Sequence, residues 1–447
     1  MICVCGIKIS GISGEVREMR LNKITVGGFK NIGLAVIELN NVTALVSQNS
    51  FGKSNLLKAI YFGVDFIEKT NDMKKKMMSL IKGIPLTKSI ASKNYEIEFE
   101  MDTICDGIVY NVIYGYRFIW ARDDNKGSRI IDEWLKVKLN DKNQKYKQYI
   151  SRTGENSYYK TSETGRCSNR ISIEPNELII NKLNAFDNLF YIELVKRINN
   201  LNVYIERHFD ASESYSPDPF IRTDMEELEI ESSDNIPRVL FHLKKQFPDK
   251  YDLLIDSFMQ LFPQITEITV DELDFKLKKK SNIPQDLPIK VTNQFYVLHV
   301  TDKNLNQPIS FESMSDGAKR IFLLLTCIVL AEINKLSLIA IEEPENSIHP
   351  ILLQSYLSVI SQLQGQCRII LTSHSPFIIQ YLDLSDIYVG SPNSEGLAVF
   401  LRIHQSMQKA LLKEADDMDI SVGNYIFELL NSSDGDSSEL NRYLENT

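Results

Sequence analysis

One short passage constrains the fold more than any other. Val42-Thr43-Ala44-Leu45-Val46 is a β-rich apolar run, and it ends at Ser47-Gln48-Asn49-Ser50-Phe51-Gly52-Lys53-Ser54. Leu56, Leu57, Ile60 and Tyr61 then recur at helical spacing. A buried strand therefore feeds a polar loop that feeds a helix. The loop fits the pattern G-x-x-x-x-G-K-S/T, with Ser47 in place of the first glycine. Phosphate chemistry asks for these residue types. Successive backbone N–H groups, from Asn49 through Asn55, would curl around a β-phosphate, and Gly52 permits the close approach. Lys53 supplies a cation to the phosphate oxygens. The Ser54 hydroxyl can ligate Mg²⁺, and the helix points its positive N-terminus at the anion. The competing reading is a chance Gly-Lys-Ser in a surface loop. Ser47 alters the loop entry but removes no phosphate ligand.

Two later strands carry matching chemistry. Leu336–Ile341 is a buried-strand run that ends in Glu342-Glu343-Pro344-Glu345-Asn346-Ser347-Ile348-His349-Pro350. Adjacent carboxylates at the C-terminal end of a parallel strand stand where ligands bind in open α/β sheets. One can hold a magnesium ion and the next can polarise an attacking water. An exposed acidic turn is the alternative, but such turns seldom follow so apolar a run. Cys367–Ser373 is a second strand, and His374 sits just past its end. A lone histidine in a turn is ordinarily structural; the neighbouring acidic strand favours contact with a γ-phosphate. His208, His242, His299 and His404 lack such a context. Ser313-Met314-Ser315-Asp316-Gly317-Ala318-Lys319-Arg320 precedes the apolar helix Ile321–Leu330, and alone it reads as an ordinary N-cap.

Composition sets the class. The 447 residues carry 50 Lys+Arg against 59 Asp+Glu, a formal charge of −9, which disfavours a general nucleic-acid coat. The longest apolar run, Ile321–Ala331, is too short to span a bilayer, and the first residues lack a secretory pattern. Cys3, Cys5, Cys105, Cys167, Cys327 and Cys367 are scattered, so a reducing, cytoplasmic setting is expected. Cys3-x-Cys5 has no second pair at zinc spacing.

The four pieces, in this order, resemble the ABC-type ATPase head of the RecF, SMC and OLD-family group. Ser47–Ser54 looks like Walker A, and Met314–Ala318 like the ABC signature. Ile339–Glu343 looks like Walker B with the catalytic glutamate, and Thr372-Ser373-His374 like the H-loop. Glu-Glu-Pro-Glu-Asn-x-x-His-Pro is similar to a variant in standalone bacterial ATPases, many of them from anti-phage systems. The resemblance covers 19–66 and 300–392 well and the middle only in outline.

The resemblance implies an α/β fold: a P-loop ATPase head with an antiparallel β lobe and an inserted, mostly helical domain. The expected division is an extension at 1–18, head at 19–66, β-rich lobe at 67–172, helical insertion at 173–285, head again at 286–400, and a tail at 401–447. ATP and Mg²⁺ are the implied ligands. Lys53 and Ser54 would bind phosphate and metal, with Glu342 as the second metal ligand where Asp is more usual. Glu343 would be the general base, and His374 would contact the γ-phosphate. Ser315 and Gly317 would act in trans across a head-to-head homodimer holding two ATPs. Lys30 and Asn31, after the first strand, resemble a segment that touches nucleotide in relatives. No residue can be assigned as the Q-loop glutamine.

The remaining sequence narrows the subfamily. No long heptad run lies between the two head segments, so an SMC arm is not expected. Asp417-x-Asp419 lies in a charged run that reads as a solvated face, so no nuclease is expected in the chain. The leading expectation is a regulator of a separately encoded effector, such as a nuclease, resembling ATPase subunits of Septu, retron-associated or PARIS-type systems. Tyr425–Leu430 would dock a partner or pack on its own domain. A RecF-like DNA repair ATPase is the second reading, with Lys74-Lys75-Lys76 and Lys276, Lys278, Lys279 and Lys280 as basic clusters. A nucleotide-locked scaffold with negligible turnover is the third.

Overall fold

The computed structural model describes residues 19–445 except 50, 86, 106, 123–126, 142, 207–214, 216–219, 223–226, 231–234, 275–288, 364 and 432–437. The extension at 1–18 with its Cys3-x-Cys5 pair, Ser50, His208, Lys276 and Lys278–Lys280 lie outside the described residues. So does most of 209–235, read from sequence as a linker.

In chain order, strands β1 (Arg20–Phe29), β2 (Ile32–Glu38) and β3 (Val42–Val46) lead into helices α1 (Lys53–Glu68) and α2 (Asn71–Met77). Strands β4 (Tyr95–Cys105), β5 (Ile108–Ile119), β6 (Arg129–Leu139), β7 (Lys147–Thr153), β8 (Asn156–Tyr159) and β9 (Asn169–Arg170) follow. Then come α3 (Ile179–Leu183), α4 (Ile192–Asn199), β10 (Val203–Glu206), β11 (Phe220–Arg222), α5 (Ile236–Gln246) and α6 (Pro248–Leu261). Strands β12 (Ile265–Asp274), β13 (Ile289–Val291), β14 (Gln294–Asp302) and β15 (Ile309–Ser310) precede α7 (Asp316–Ile333) and β16 (Leu338–Glu342). The chain continues through α8 (Pro350–Leu363), β17 (Arg368–Ser373), α9 (Pro376–Tyr381), β18 (Ile387–Pro392) and β19 (Ala398–Arg402). It ends in α10 (Gln408–Asp417), α11 (Val422–Asn431) and α12 (Ser438–Asn441).

The described residues form two compact units, those of 1–25, 65–81 and 94–201 making one and those of 26–64, 82–93 and 202–447 the other. Of the stretch 173–285, α3 and α4 belong to the first unit, while β10, α5, α6 and β12 belong to the second.

The first unit is built on the antiparallel meander β4 to β9. Alternation in β4 sends Tyr95, Ile97, Phe99 and Met101 inward, as the sequence pattern requires of a sheet with one wet face. Trp134 lies over Gly115, where a Cβ would stand 2.5 Å from the indole, and its Nε1 donates to Glu98 Oε2 at 2.7 Å. The sequence suggests a loop over 151–172; instead β7 and β8 pair as a hairpin through Gly154, whose φ is +59°.

Glu133 is buried in this unit and receives the Ile179 and Ile180 N–H groups at 2.6 and 2.9 Å, at the start of α3. Burial raises its pKa from 4.5 to about 7 despite those bonds. The folded state therefore holds a proton that the unfolded chain has lost above its ordinary pKa. The stability this contributes is fully present below pH 4.5 and is lost as pH rises through about 7. Lys74 stays protonated across that window, since its own pKa falls only to about 8. We expect Glu133 to make the protein up to roughly 3 kcal/mol less stable at pH 7.5 than at pH 4.5. Denaturant titrations over that range should show the slope in the wild type and not in Glu133→Gln. Identical slopes would remove Glu133 as the cause.

Lys74 itself corrects an expectation. It is fully buried and donates to the carbonyls of Ile67 and Lys69, so Lys74-Lys75-Lys76 is not one continuous solvated basic face.

The second unit carries a six-stranded sheet in the order β10-β16-β17-β3-β18-β19, parallel except for β19. All five residues of β3 are buried. That is why Val42–Val46 shows no apolar–polar alternation: helices cover both faces of a parallel sheet. Helix α7 is buried from Ala318 to Ala331 and supplies much of the core. The sequence suggests one helix over 236–262. The structure has two, because Pro248 cannot continue α5 and instead opens α6. The helical pattern of 175–207 also stops short, and Val203–Glu206 becomes an edge strand parallel to β16.

Among the described residues no helix is long and apolar enough to cross a membrane. The described cysteines 105, 167, 327 and 367 are free thiols.

Candidate nucleotide-binding site

The parallel sheet brings three strand ends together. Val46 of β3 is in register with Ser373 of β17, and Thr372 of β17 with Glu342 of β16. The loop after β3, the acidic pair and the histidine thus share one edge of the sheet, although the sequence separates Ser54 from Glu342 by 288 residues. Ser54 Oγ donates to Glu342 Oε2 at 2.9 Å.

Gly52 closes the loop onto α1, its carbonyl accepting from Leu56 N–H at 2.8 Å. Its φ is +104°, and a Cβ would stand 2.6 Å from the Ala398 side chain and 3.1 Å from Asn31. Only glycine fits there. Lys53 Nζ donates to the carbonyls of Ser47 and Gln48 at 2.8 and 3.1 Å, and to Ser47 Oγ at 3.0 Å. The serine at the position usually held by glycine is therefore a partner of the lysine. Burial lowers the Lys53 pKa, and attraction to Glu343, Glu345 and Glu342 opposes the shift. Asn49 is exposed, while Phe51 and Asn55 are half-buried.

Lys30 and Asn31 join this group through Asn55. Lys30 Nζ donates to Asn55 Oδ1 at 3.0 Å, and Asn55 Nδ2 donates to Asn31 Oδ1 at 2.9 Å.

Glu343 adopts a left-handed backbone, φ +50°, which is strained for a non-glycine residue. Its N–H donates to the Thr372 carbonyl at 2.8 Å, and Asn346 Nδ2 donates to its Oε2 at 2.9 Å. His374 Nδ1 lies 3.1 Å from Glu343 Oε1, an ion-pair approach without hydrogen-bond alignment. Glu345 stands behind them and accepts from Ser373 Oγ; burial raises its pKa. The motif contained Glu345, but nothing in the sequence gave it a separate role.

The signature-like segment meets the loop that follows β16. Ser315 caps α7, its Oγ accepting from Ala318 N–H at 3.4 Å. Gly317 packs on the Ser347 carbonyl, where a Cβ would stand 2.5 Å away.

Sequence reading missed two further parts. Arg320 on α7 makes a bidentate pair with Glu206 of β10 at 2.7 and 3.1 Å, and its Nη2 reaches the Glu342 carbonyl at 3.4 Å. Burial opposes the Arg320 charge, but Glu206 outweighs it and raises the pKa. Gln48 Nε2 donates to the Leu430 carbonyl of α11 at 2.7 Å and also meets the Asn431 side chain. Gly423 of α11 lies so close to α9 that a Cβ would stand 2.1 Å from the Pro376 carbonyl. Tyr425, Ile426 and Leu429 of α11 are buried in the unit's own core.

Several solved SMC heads are similar to this chain. The SmcHead bound to the C-winged helix domain of ScpA shares 13% identity over 88% of this chain and 99% of its own, with a TM-score of 0.46. The SMC head domain from Thermotoga maritima shares 11% over 86% and 99%, with a TM-score of 0.40. The Pyrococcus furiosus Smc head with an extended coiled coil, bound to the C-terminal domain of ScpA, shares 11% over 89% and 100%, at 0.45. No curated protein matches the chain. A family model described as "AAA domain, putative AbiEii toxin, Type IV TA system" matches residues 42–380, well over half of the sequence. That span runs from the first residue of β3 past His374, so the phosphate loop, the acidic strand and the histidine strand all fall inside it, and the chain belongs to this AAA family.

Proposed function

We propose that this chain binds ATP with Mg²⁺, hydrolyses it, and uses its nucleotide state to regulate a separate effector. The contact between Ser54 Oγ and Glu342 Oε2 carries the reading. A hydroxyl and a carboxylate held together beside a phosphate loop suit a hard cation, which takes one or two carboxylates and completes its shell with phosphate oxygens and water. Ser54 and Glu342 would hold the ion. When bound, it neutralises charge on the phosphates.

The protein's own groups do the rest. Lys53 exchanges the Ser47 and Gln48 carbonyls for phosphate oxygens. The N–H groups at the start of α1 receive the anion. Glu343 takes the proton of the attacking water, Asn346 fixes one carboxylate oxygen, and His374 faces the other. Ser315 and Gly317 complete the site of a second copy in an ATP-bound homodimer. The effector is a co-encoded protein such as a nuclease, in anti-phage defence in the cytoplasm. The resemblance of Glu342–Pro350 to standalone bacterial ATPases supports that part. Co-purification of a neighbouring gene's product, with its activity following nucleotide state, tests it; a solitary dimer indifferent to its genomic neighbours would oppose it.

Lys53→Ala tests the nucleotide site. Loss of a charge-assisted contact is expected to weaken ATP binding by about 10- to 100-fold. Fluorescence titration with a labelled ATP analogue reads this directly. Unchanged affinity would end the phosphate-loop assignment.

A further inference from the structure

The first unit contains a cleft of about 400 Å³ that plays no part in the chemistry above. Its lining combines two kinds of side chain. Lys138, Lys145, Lys147 and Arg197 bring positive charge against Glu163 and Glu193. Tyr110, Tyr149, Phe190 and Tyr191 bring aromatic rings. The positive excess stands out in a chain of net charge −9.

The aromatic wall is fixed in place. Phe190 stands 5.5 Å from the Tyr149 ring and 4.9 Å from the Tyr191 ring, and Tyr191 Oη donates to the Tyr149 carbonyl at 3.3 Å. Lys160 is 2% exposed, donates to the Glu163 carbonyl at 2.8 Å, and holds its ammonium 4.9 Å from the Tyr149 ring centre and 5.8 Å from that of Phe190. Arg197 is held by Thr103 Oγ1 at 2.6 Å and the Ile104 carbonyl at 2.7 Å. Yet Phe190 remains 36% exposed, a large apolar ring left partly in water beside cations. A rigid ring left partly exposed can stack on a planar base, and lysines at the rim can meet its phosphate.

We propose that this cleft binds a nucleoside 5′-phosphate unit, distinct from the ATP held at Gly52-Lys53-Ser54. The unit is either a free mononucleotide or one residue of a single strand. A cleft of this volume falls in the range of small-molecule sites.

Fluorescence anisotropy of the full chain with labelled ten-nucleotide single strands tests the proposal, with unlabelled nucleoside monophosphates as competitors. Binding should survive Lys53→Ala, which separates the cleft from the ATP site. Phe190→Ala should weaken it by about 5- to 150-fold, the range seen when one base loses its aromatic platform. Lys145→Gln with Lys147→Gln should reduce the slope of log affinity against log salt by about 1.4. Competition by monophosphates as tight as strand binding identifies a free ligand. Strand binding without such competition identifies a nucleic-acid strand. Circular dichroism and melting confirm that these surface variants fold. No binding of either probe, or binding unchanged by Phe190→Ala and by the double lysine variant, overturns the proposal and leaves the ATP reading untouched.

Discussion

Glu343→Gln is expected to slow ATP hydrolysis by about 10²- to 10⁴-fold, the usual contribution of a positioned general base. Glutamine keeps the size of the side chain and can still accept from Asn346 Nδ2, which donates to Glu343 Oε2 at 2.9 Å. It cannot take a proton from water. Lys53, Ser54 and Glu342 are untouched, so ATP should remain bound and the proposed ATP-linked dimer should form. Rapid-quench single-turnover assays read the rate, and size-exclusion chromatography with ATP reads the dimer. Hydrolysis at the native rate would remove Glu343 from the chemistry. Equal, near-zero rates in both proteins would favour a nucleotide-locked scaffold instead.

Arg320→Ala should destabilise the second unit by about 3–5 kcal/mol, because it takes the bidentate cation away from a buried carboxylate. Glu206 is fully buried and Arg320 is 4% exposed, so the carboxylate would lose this cation away from bulk solvent. The pair joins α7 to β10, and Arg320 also reaches the Glu342 carbonyl, so the end of β16 should loosen as well. Replacing both partners, as in Arg320→Met with Glu206→Leu, should recover most of the loss, since the buried charge is then gone. Denaturant midpoints of the three proteins decide the matter. A single variant as stable as the wild type would show that the pair contributes nothing.

These two cases mark what was legible in the sequence. The place of Glu343 just past a buried strand was legible because a carboxylate pair at the end of an apolar run is a local pattern. Gly52-Lys53-Ser54 and His374 were legible for the same reason: each sits where a buried strand stops. The Arg320–Glu206 pair was not, because its members lie 114 residues apart and nothing local ties them. β10 escaped because four residues following a helical run are too few to establish a period. The break before Pro248 was readable in principle, but the apolar spacing on both sides continued the same stripe. Glu345 was visible as a letter of the motif, and its partner Ser373 was not. Ser47 looked like a deviation from pattern until Lys53 was seen to donate to it.

Helix α11 touches the nucleotide edge twice, through Gln48 at the phosphate loop and through Pro376 just beyond His374. It acts as a strut between the two. Any force applied to the C-terminal helices, whether by a fused tag, a clipped backbone or a bound protein, would be felt by the loops that carry Gln48 and Pro376. Shortening the chain ahead of residue 422 would remove the helix that both loops lean on, not trim a loose end.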